Sequence, residues 1–351
     1  MKKIVAKKKY KYPMALEREY AKQLKGLTAV MFGKIKKTVP EMVAIIKKNR
    51  INLDADDPND DIDEFMVELA SILKLRESAE PYVRKMWDKV NKYTDTQIKE
   101  IFGALFGSNV SMRGLKAEWT RKQIINEMTE EADRQGIELT EEEKYAIGAG
   151  ILLSSILSAS EQKRKAIENI IKNRPAGADI IASSEADLAM KAQAKLKQLE
   201  EIWVRENLDL VGSLEAETLR KLRDELTRLI ADGVPEDEIE ERLIAFLQKQ
   251  AEVEENRAVL IGSDQVGKLN GRLMEYWQRS AGITEYRWQT MMDDRVRPKH
   301  RERQGLIFKW DNPPPDGHPG MAIRCRCVAD PVIPLDDFGV EPMSRTYVYV
   351  D

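Results

Sequence analysis

The chain has 351 residues, enough for two or three domains, and its net charge of -3 at pH 7 conceals a third of all residues being charged. Two cysteines cannot build a disulfide scaffold, which sets aside the small secreted frameworks. The basic start Met1–Tyr12 is not followed by an apolar run ending in small residues, so no secretory signal is expected.

Charge is polarised along the chain. Residues 1–50 carry thirteen Lys and two Arg against three Glu, a net +12, which leaves the remainder near -15. Lys2, Lys3, Lys7, Lys8, Lys9 and Lys11 read as a basic arm interleaved with Tyr10 and Tyr12. Such an arm could neutralise nucleic-acid phosphates in a salt-sensitive, sequence-independent way; the alternative is a solvated terminus. Asp54–Glu64 then reverses the sign. A calcium loop fails there on spacing at Pro58, and Asn59 stands where the turn needs Gly, so an acidic linker entering a helix is the better reading. Residues 1–60 form the first unit: basic arm, first helix and linker.

From Asp63 to about Leu260 the apolar spacing is helical, and it divides into a helical region over 61–172 and a long-helix region over 173–281. Ile62, Phe65, Met66, Leu69, Ile72 and Leu73 recur at three and four. Pro81 is placed to open the next helix, and Gly103, Gly107 and Gly114 suggest a turn or crossover. Thr140-x-x-Glu143 reads as a capping box. The helix it opens is uncharged over 145–160, with a small-residue stripe at Ala146, Gly150, Ser154 and Ser158. Its 16 residues fall short of the ~20 that span a bilayer, so it is read as an interior or interface helix. Residues 172–184 read as a connector, and Gly212 as an interruption between two further helices. Asp232-Gly233-Val234-Pro235 reads as a turn into an acid-rich helix passing Arg257.

After Gly282 the texture changes. Tyr286–Thr290, Leu306–Trp310 and Ala322–Val328 alternate like strands, while prolines 313–315, 319, 331 and 334 punctuate loops. The expected fold is mainly α: an elongated multi-helix N-terminal body with a small α+β C-terminal module over 282–351.

Both histidines and both cysteines lie between His300 and Cys327. On a strand, Cys325 and Cys327 would project from one face, a spacing suited to joint ligation of a soft metal. With His300 and His318 they make a candidate Cys2His2 zinc set. The alternative is two buried cysteines acting as small hydrophobes beside hydrogen-bonded histidines. Asp293, Asp294 and His300 could also supply acid–base or metal-binding groups for phosphodiester hydrolysis, or Asp294, Arg295 and Arg297 could be an ion-pair cluster setting a loop. No Gly-rich phosphate loop or nucleophile elbow accompanies them.

Taken in order, these residues form a longer series. Arg257-Ala258 comes first, then Ile261-Gly-Ser-Asp264-Gln265, then Lys268-Leu269-Asn270-Gly271. Trp288 follows within Ala281–Thr290, then Asp293-Asp294-Arg295-Val296-Arg297-Pro298-Lys-His300. Gly305, Phe308–Asp311 and Pro313-Pro314 lead to Gly317-His318-Pro319-Gly320, Cys325-Arg326-Cys327 and Pro331-Val332. Over about 80 residues this resembles the Mu F-like minor head proteins of tailed bacteriophages, the phage head morphogenesis family. Ser263 departs from the family's usual Arg, and Arg303 from a usual apolar residue.

The resemblance implies a non-enzymatic structural virion protein, a minor capsid component in the phage head that is assembled in the bacterial host cytoplasm. Its implied partners are the portal protein during procapsid assembly, major capsid or scaffold proteins, and packaged double-stranded DNA. DNA packaging or ejection is its implied setting, and stable membrane insertion is not expected. A metal-dependent nucleic-acid-processing enzyme built on the 293–327 cluster is the alternative, and a delivered effector carrying this module as a packaging tag ranks last.

Overall fold

The computed structural model describes residues 2–51, 59–107, 129–134, 136–140, 161, 163, 165, 167, 185–335 and 342–350. Glu143, the 145–160 stripe, the 172–184 connector and Gly114 lie outside them. Among the described residues are seven helices and one five-stranded antiparallel sheet, as a mainly α chain with a small α+β module requires. None of these helices is long and apolar enough to cross a membrane.

The helical body is built from α1 (Met14–Lys37), α2 (Val39–Ile51), α3 (Asn59–Leu73), α4 (Leu75–Phe106), α5 (Glu185–Ala231) and α6 (Glu236–Ser280). The acidic run ends as expected in a helix start: α3 carries Asp60 and Asp61 in its first turn, where carboxylates favour the exposed N–H groups. Trp203 of α5 is the centre of the body. Its ring lies 6.4 Å from Tyr20 and 6.1 Å from Trp87, so α1, α4 and α5 converge on one fully buried indole. α6 packs closest against α1. A β-carbon at Gly262 would fall 2.7 Å from the Cα of Ala21, so only glycine permits this crossing.

Two expected helix breaks do not occur. Pro81 lies inside α4 and not at its start. The proline ring forfeits one backbone bond, but the buried stripe Val83, Met86, Trp87 and Val90 carries the helix onward. Gly212 sits within the unbroken 47-residue α5, packed beside Arg76. Tertiary burial outweighs the roughly 1 kcal/mol propensity cost of an internal glycine. The turn at 232–235 does form, with Gly233 at φ 62° and Pro235 as the cap of α6.

The sheet runs β3-β2-β4-β1-β5, from β1 (Lys3–Ala6), β2 (Glu285–Gln289), β3 (Ile307–Lys309), β4 (Val328–Pro334) and β5 (Tyr347–Val350). Here the first residues depart from the reading as a free arm. β1 lies between β4 and β5, pairing Ile4 with Ile333 on one side and with Tyr349 on the other. Ile4, Val5 and Ala6 are buried, as are Tyr10 and Tyr12. Their core also takes Ile98, Ile101, Phe102 and Leu105 from α4 and Met274 from α6, so the module is completed by the N-terminus and by the end of α4.

The third expected strand is displaced. Ala322–Cys327 is turn and irregular chain, and the strand begins at Val328 and includes Pro331 and Pro334. The ladder to β1 covers only Ile333 and Pro334, which leaves Pro331 paired to β2 alone, a place proline tolerates.

Candidate metal centre

α6 is the rail on which the site is mounted. Asp264 accepts the backbone N–H of Arg324 at 2.9 Å and pairs with Lys268 at 2.7 Å. That bond holds Arg324 at φ 55°, a left-handed conformation costly for a side chain with a β-carbon, directly before Cys325. At Gly271 a β-carbon would stand 2.5 Å from the carbonyl oxygen of Pro319, and at Gly267 2.9 Å from that of Cys325. The cysteine loop thus lies on bare helix backbone. Gln265 and Asn270 tie the rail to its neighbours. Tyr20 donates to Asn207 at 2.7 Å, and Asn207 donates to Gln265 at 3.4 Å, while Tyr10 donates to Asn270 at 2.5 Å.

The helix α7 (Pro298–Glu302) supplies the histidine, and the loop before it is tied down. Asp293 accepts Arg326 at 2.8 Å and the backbone N–H of Arg295, and its carbonyl accepts Arg301 at 2.9 Å. Arg297 donates to the carbonyl of Ile323 at 2.5 Å, which fastens the histidine loop to the cysteine loop. Pro298 opens α7 at a position where no N–H is needed, and His300 two residues on is buried. Gly305 at φ 83° turns the chain into β3, and its N–H bonds the carbonyl of Trp288. Asp294 and the Arg295 side chain make no further tie that the site uses.

These constraints bring His300, Cys325 and Cys327 together, all buried, with donor atoms within 4.8 Å of one another. The Nδ1 of His300 lies 3.5 Å from each sulfur. One imidazole lone pair serves one thiol well, so two sulfurs at equal distance from it are the arrangement a shared ion needs. A tetrahedral ion at ordinary Zn–S and Zn–N lengths separates nitrogen and sulfur by about 3.6 Å. The backbone N–H of Gly320 lies 3.4 Å from the Cys325 sulfur. The indole N–H of Trp288, fully buried and without an ordinary acceptor, sits beside Cys327, where it favours the thiolate. The donor set, two sulfurs and one nitrogen, all buried, fits a soft or borderline metal.

Electrostatics divides the two thiols. A hydrogen bond from Cys327, then the Gly320 N–H, lower the pKa of Cys325 against the opposing effect of burial. Cys327 keeps the shared proton, pushed up by its bond to Cys325 and by burial. His300 also gives its Nε2 to Asp316 at 3.0 Å, and Asp316 pairs with Arg303 at 2.6 Å.

His318 is not brought to this cluster. Its Nδ1 meets the hydroxyl of Tyr286 at 2.9 Å, and its ring packs 4.8 Å from Trp310, with burial depressing its pKa. Among the described residues the set is therefore Cys2His and not Cys2His2. Gly317, at φ 86°, and Pro319 shape the turn that carries His318 away. Asp316 escaped sequence reading because no spacing marks it, and only the fold sets it beside His300.

The lysines read as an arm are fixed on β1 and the segment after it. Lys3 pairs with Glu285 at 2.7 Å and Lys8 with Glu100 at 2.9 Å, while Lys2, Lys7, Lys8, Lys9 and Lys11 present exposed side chains.

Comparison with known proteins falls on this same part of the chain. Residues 220–330 match the family described as Phage Mu protein F like protein. A protein of Haemophilus influenzae, described as an uncharacterized protein, is 34% identical over 128 residues, which cover 36% of this chain and 28% of that one. The chain thus corresponds to little more than a quarter of that relative. No solved structure matches. Over α6, the histidine loop and the cysteine loop, the chain is similar to the Mu F-like family.

Proposed function

We propose that the protein is a minor capsid component of a phage head, which docks on the portal during procapsid assembly and assists DNA packaging or delivery. The observation that carries this reading is the Mu F-like match over 220–330, the segment in which the buried motif residues are concentrated. Capsid or scaffold proteins are the further partners, and the virion its place after assembly in the host cytoplasm. Co-expression with the portal of the same phage tests it. Co-purification through gel filtration is expected, and heads of normal composition assembled without this chain would overturn it.

Zinc is the cofactor we assign to His300, Cys325 and Cys327. Bound there, it would supply folding free energy to a module whose own core is small. Metal analysis of protein purified under reducing, chelator-free conditions should find about one zinc per chain.

The exposed lysines give the DNA contact. Because β1 belongs to the sheet, deleting residues 1–12 would remove a strand along with the charge. Replacing Lys7, Lys8, Lys9 and Lys11 by Gln is the cleaner experiment. It should lower the salt slope of DNA binding by about three to four if all four meet phosphates. An unchanged slope removes the lysines from the interface.

One observation favours a second reading. Three protein ligands with one place open is the pattern of catalytic metals. A metal-dependent nuclease would lose divalent-metal-dependent DNA cleavage in Asp293→Ala and His300→Ala. The burial of all three donors supports a structural role over this one.

A further inference from the structure

Resting on the zinc reading above, we propose that Asp316 and Arg303 are the positioning residues of the centre, fixing which nitrogen of His300 faces the metal. For Nδ1 to offer a lone pair towards the two sulfurs, the ring proton must sit on Nε2. The structure places the Oδ2 of Asp316 3.0 Å from that nitrogen, where it accepts the proton and locks the ring in one tautomer.

Asp316 could not do this unaided. Its side chain is 35% exposed and lies on a loop, so water would compete for it and the carboxylate could swing away. Arg303 prevents that by holding the other oxygen, Oδ1, at 2.6 Å. Arg303 is in turn pinned: its side chain is 14% exposed, and its guanidinium lies 5.0 Å above the ring of Trp288. The same indole meets the His300 ring edge-on at 5.3 Å. One buried tryptophan therefore sets both ends of the chain Arg303–Asp316–His300. The three donors come from α7 and the separate cysteine loop, and this is the device that aims the one ring among them.

The test uses the full-length protein loaded with Zn2+ or Co2+. Chelator competition gives affinity, and the cobalt d–d and thiolate bands report ligand geometry. Asp316→Asn and Arg303→Met should each keep one metal per chain, weaken affinity about 10- to 100-fold and alter the d–d bands. Arg303→Lys should restore part of the loss, since the charge returns without the fork. Wild-type affinity and spectrum in both variants would overturn the positioning roles and leave the zinc reading standing. If Arg303→Met does not fold, Asp316→Asn, nearly isosteric, carries the same comparison. A wild-type protein that takes no zinc, or one whose zinc survives Cys325→Ser with Cys327→Ser, overturns the zinc reading itself.

Discussion

The helical body and the C-terminal module are stabilised in different ways. In the body, long helices bury large side chains against one another, and Tyr20, Leu24, Met31, Ile35 and Trp203 are among the largest wholly buried groups. The module and the face of α6 it packs on bury fewer large groups and many polar ones: Asp264, Asn270 and Gln278 of α6, and Gln289, His300, Arg326 and Asp330 of the module, are all nearly inaccessible. Each has a partner, such as Gln278, which donates to the carbonyl of Ala329 at 2.7 Å while accepting the indole N–H of Trp310 at 3.1 Å. Apolar burial is tolerant of exchange, whereas satisfied buried polar groups specify one arrangement. The ordered motif belongs to the second kind. Its residues are fixed by what they hold, and the side chains of Asp264, Asp293 and Arg297 hold backbone.

The comparison can be broken at several points. The largest effect is expected from Trp203→Ala, about 3–5 kcal/mol of global stability, because three helices converge on that ring. Denaturant unfolding measures it, and a loss below 1 kcal/mol would mean the body does not depend on this core. Next comes Ile4→Ala in β1, about 2–4 kcal/mol. Hydrogen exchange should then speed up in β4 and β5, not only in β1. Protection unchanged in those neighbours would restore the picture of a detached arm. Gly271→Ala sharpens the contrast further. In a helix alanine is favoured over glycine by about 1 kcal/mol, yet here its methyl must displace the Pro319 carbonyl. A net loss of roughly 1–3 kcal/mol is expected, together with weaker metal binding. A stabilised variant would show that the loop can move off the rail.

What was legible in the sequence follows the same division. Helices of the body were readable from apolar spacing, because a buried stripe repeats locally. Pro81 and Gly212 misled because local propensity is weaker than the packing that overrides it. The module was readable only in part. β2 and β3 alternate and were found, but β4 hides behind Pro331 and Pro334, and β1 is four residues among lysines whose partners lie more than 300 residues away. His300, Cys325 and Cys327 stood out by rarity. His318 stood out equally and belongs elsewhere, since rarity cannot tell which ring a turn carries towards the metal. Arg303 was visible as a departure from the family pattern, and its ion pair with Asp316 supplies a reason that no spacing could.

The smallest effect tests the module alone, because both histidines of the chain lie in it. Burial lowers the pKa of His318, and its neutral ring takes the Tyr286 hydroxyl. The unfolded chain therefore binds this proton more readily than the folded one. Stability from His318 is complete above the unfolded value of about 6.5 and is lost as pH falls below it. Comparing unfolding midpoints at pH 7.5 and pH 5, the wild type should lose more than His318→Gln, whose amide stays neutral throughout. Every other group is the same in both proteins, so the difference between them isolates His318. Equal losses would mean that the ring is solvated when protonated, and that this side of the module is looser than its aromatic contacts imply.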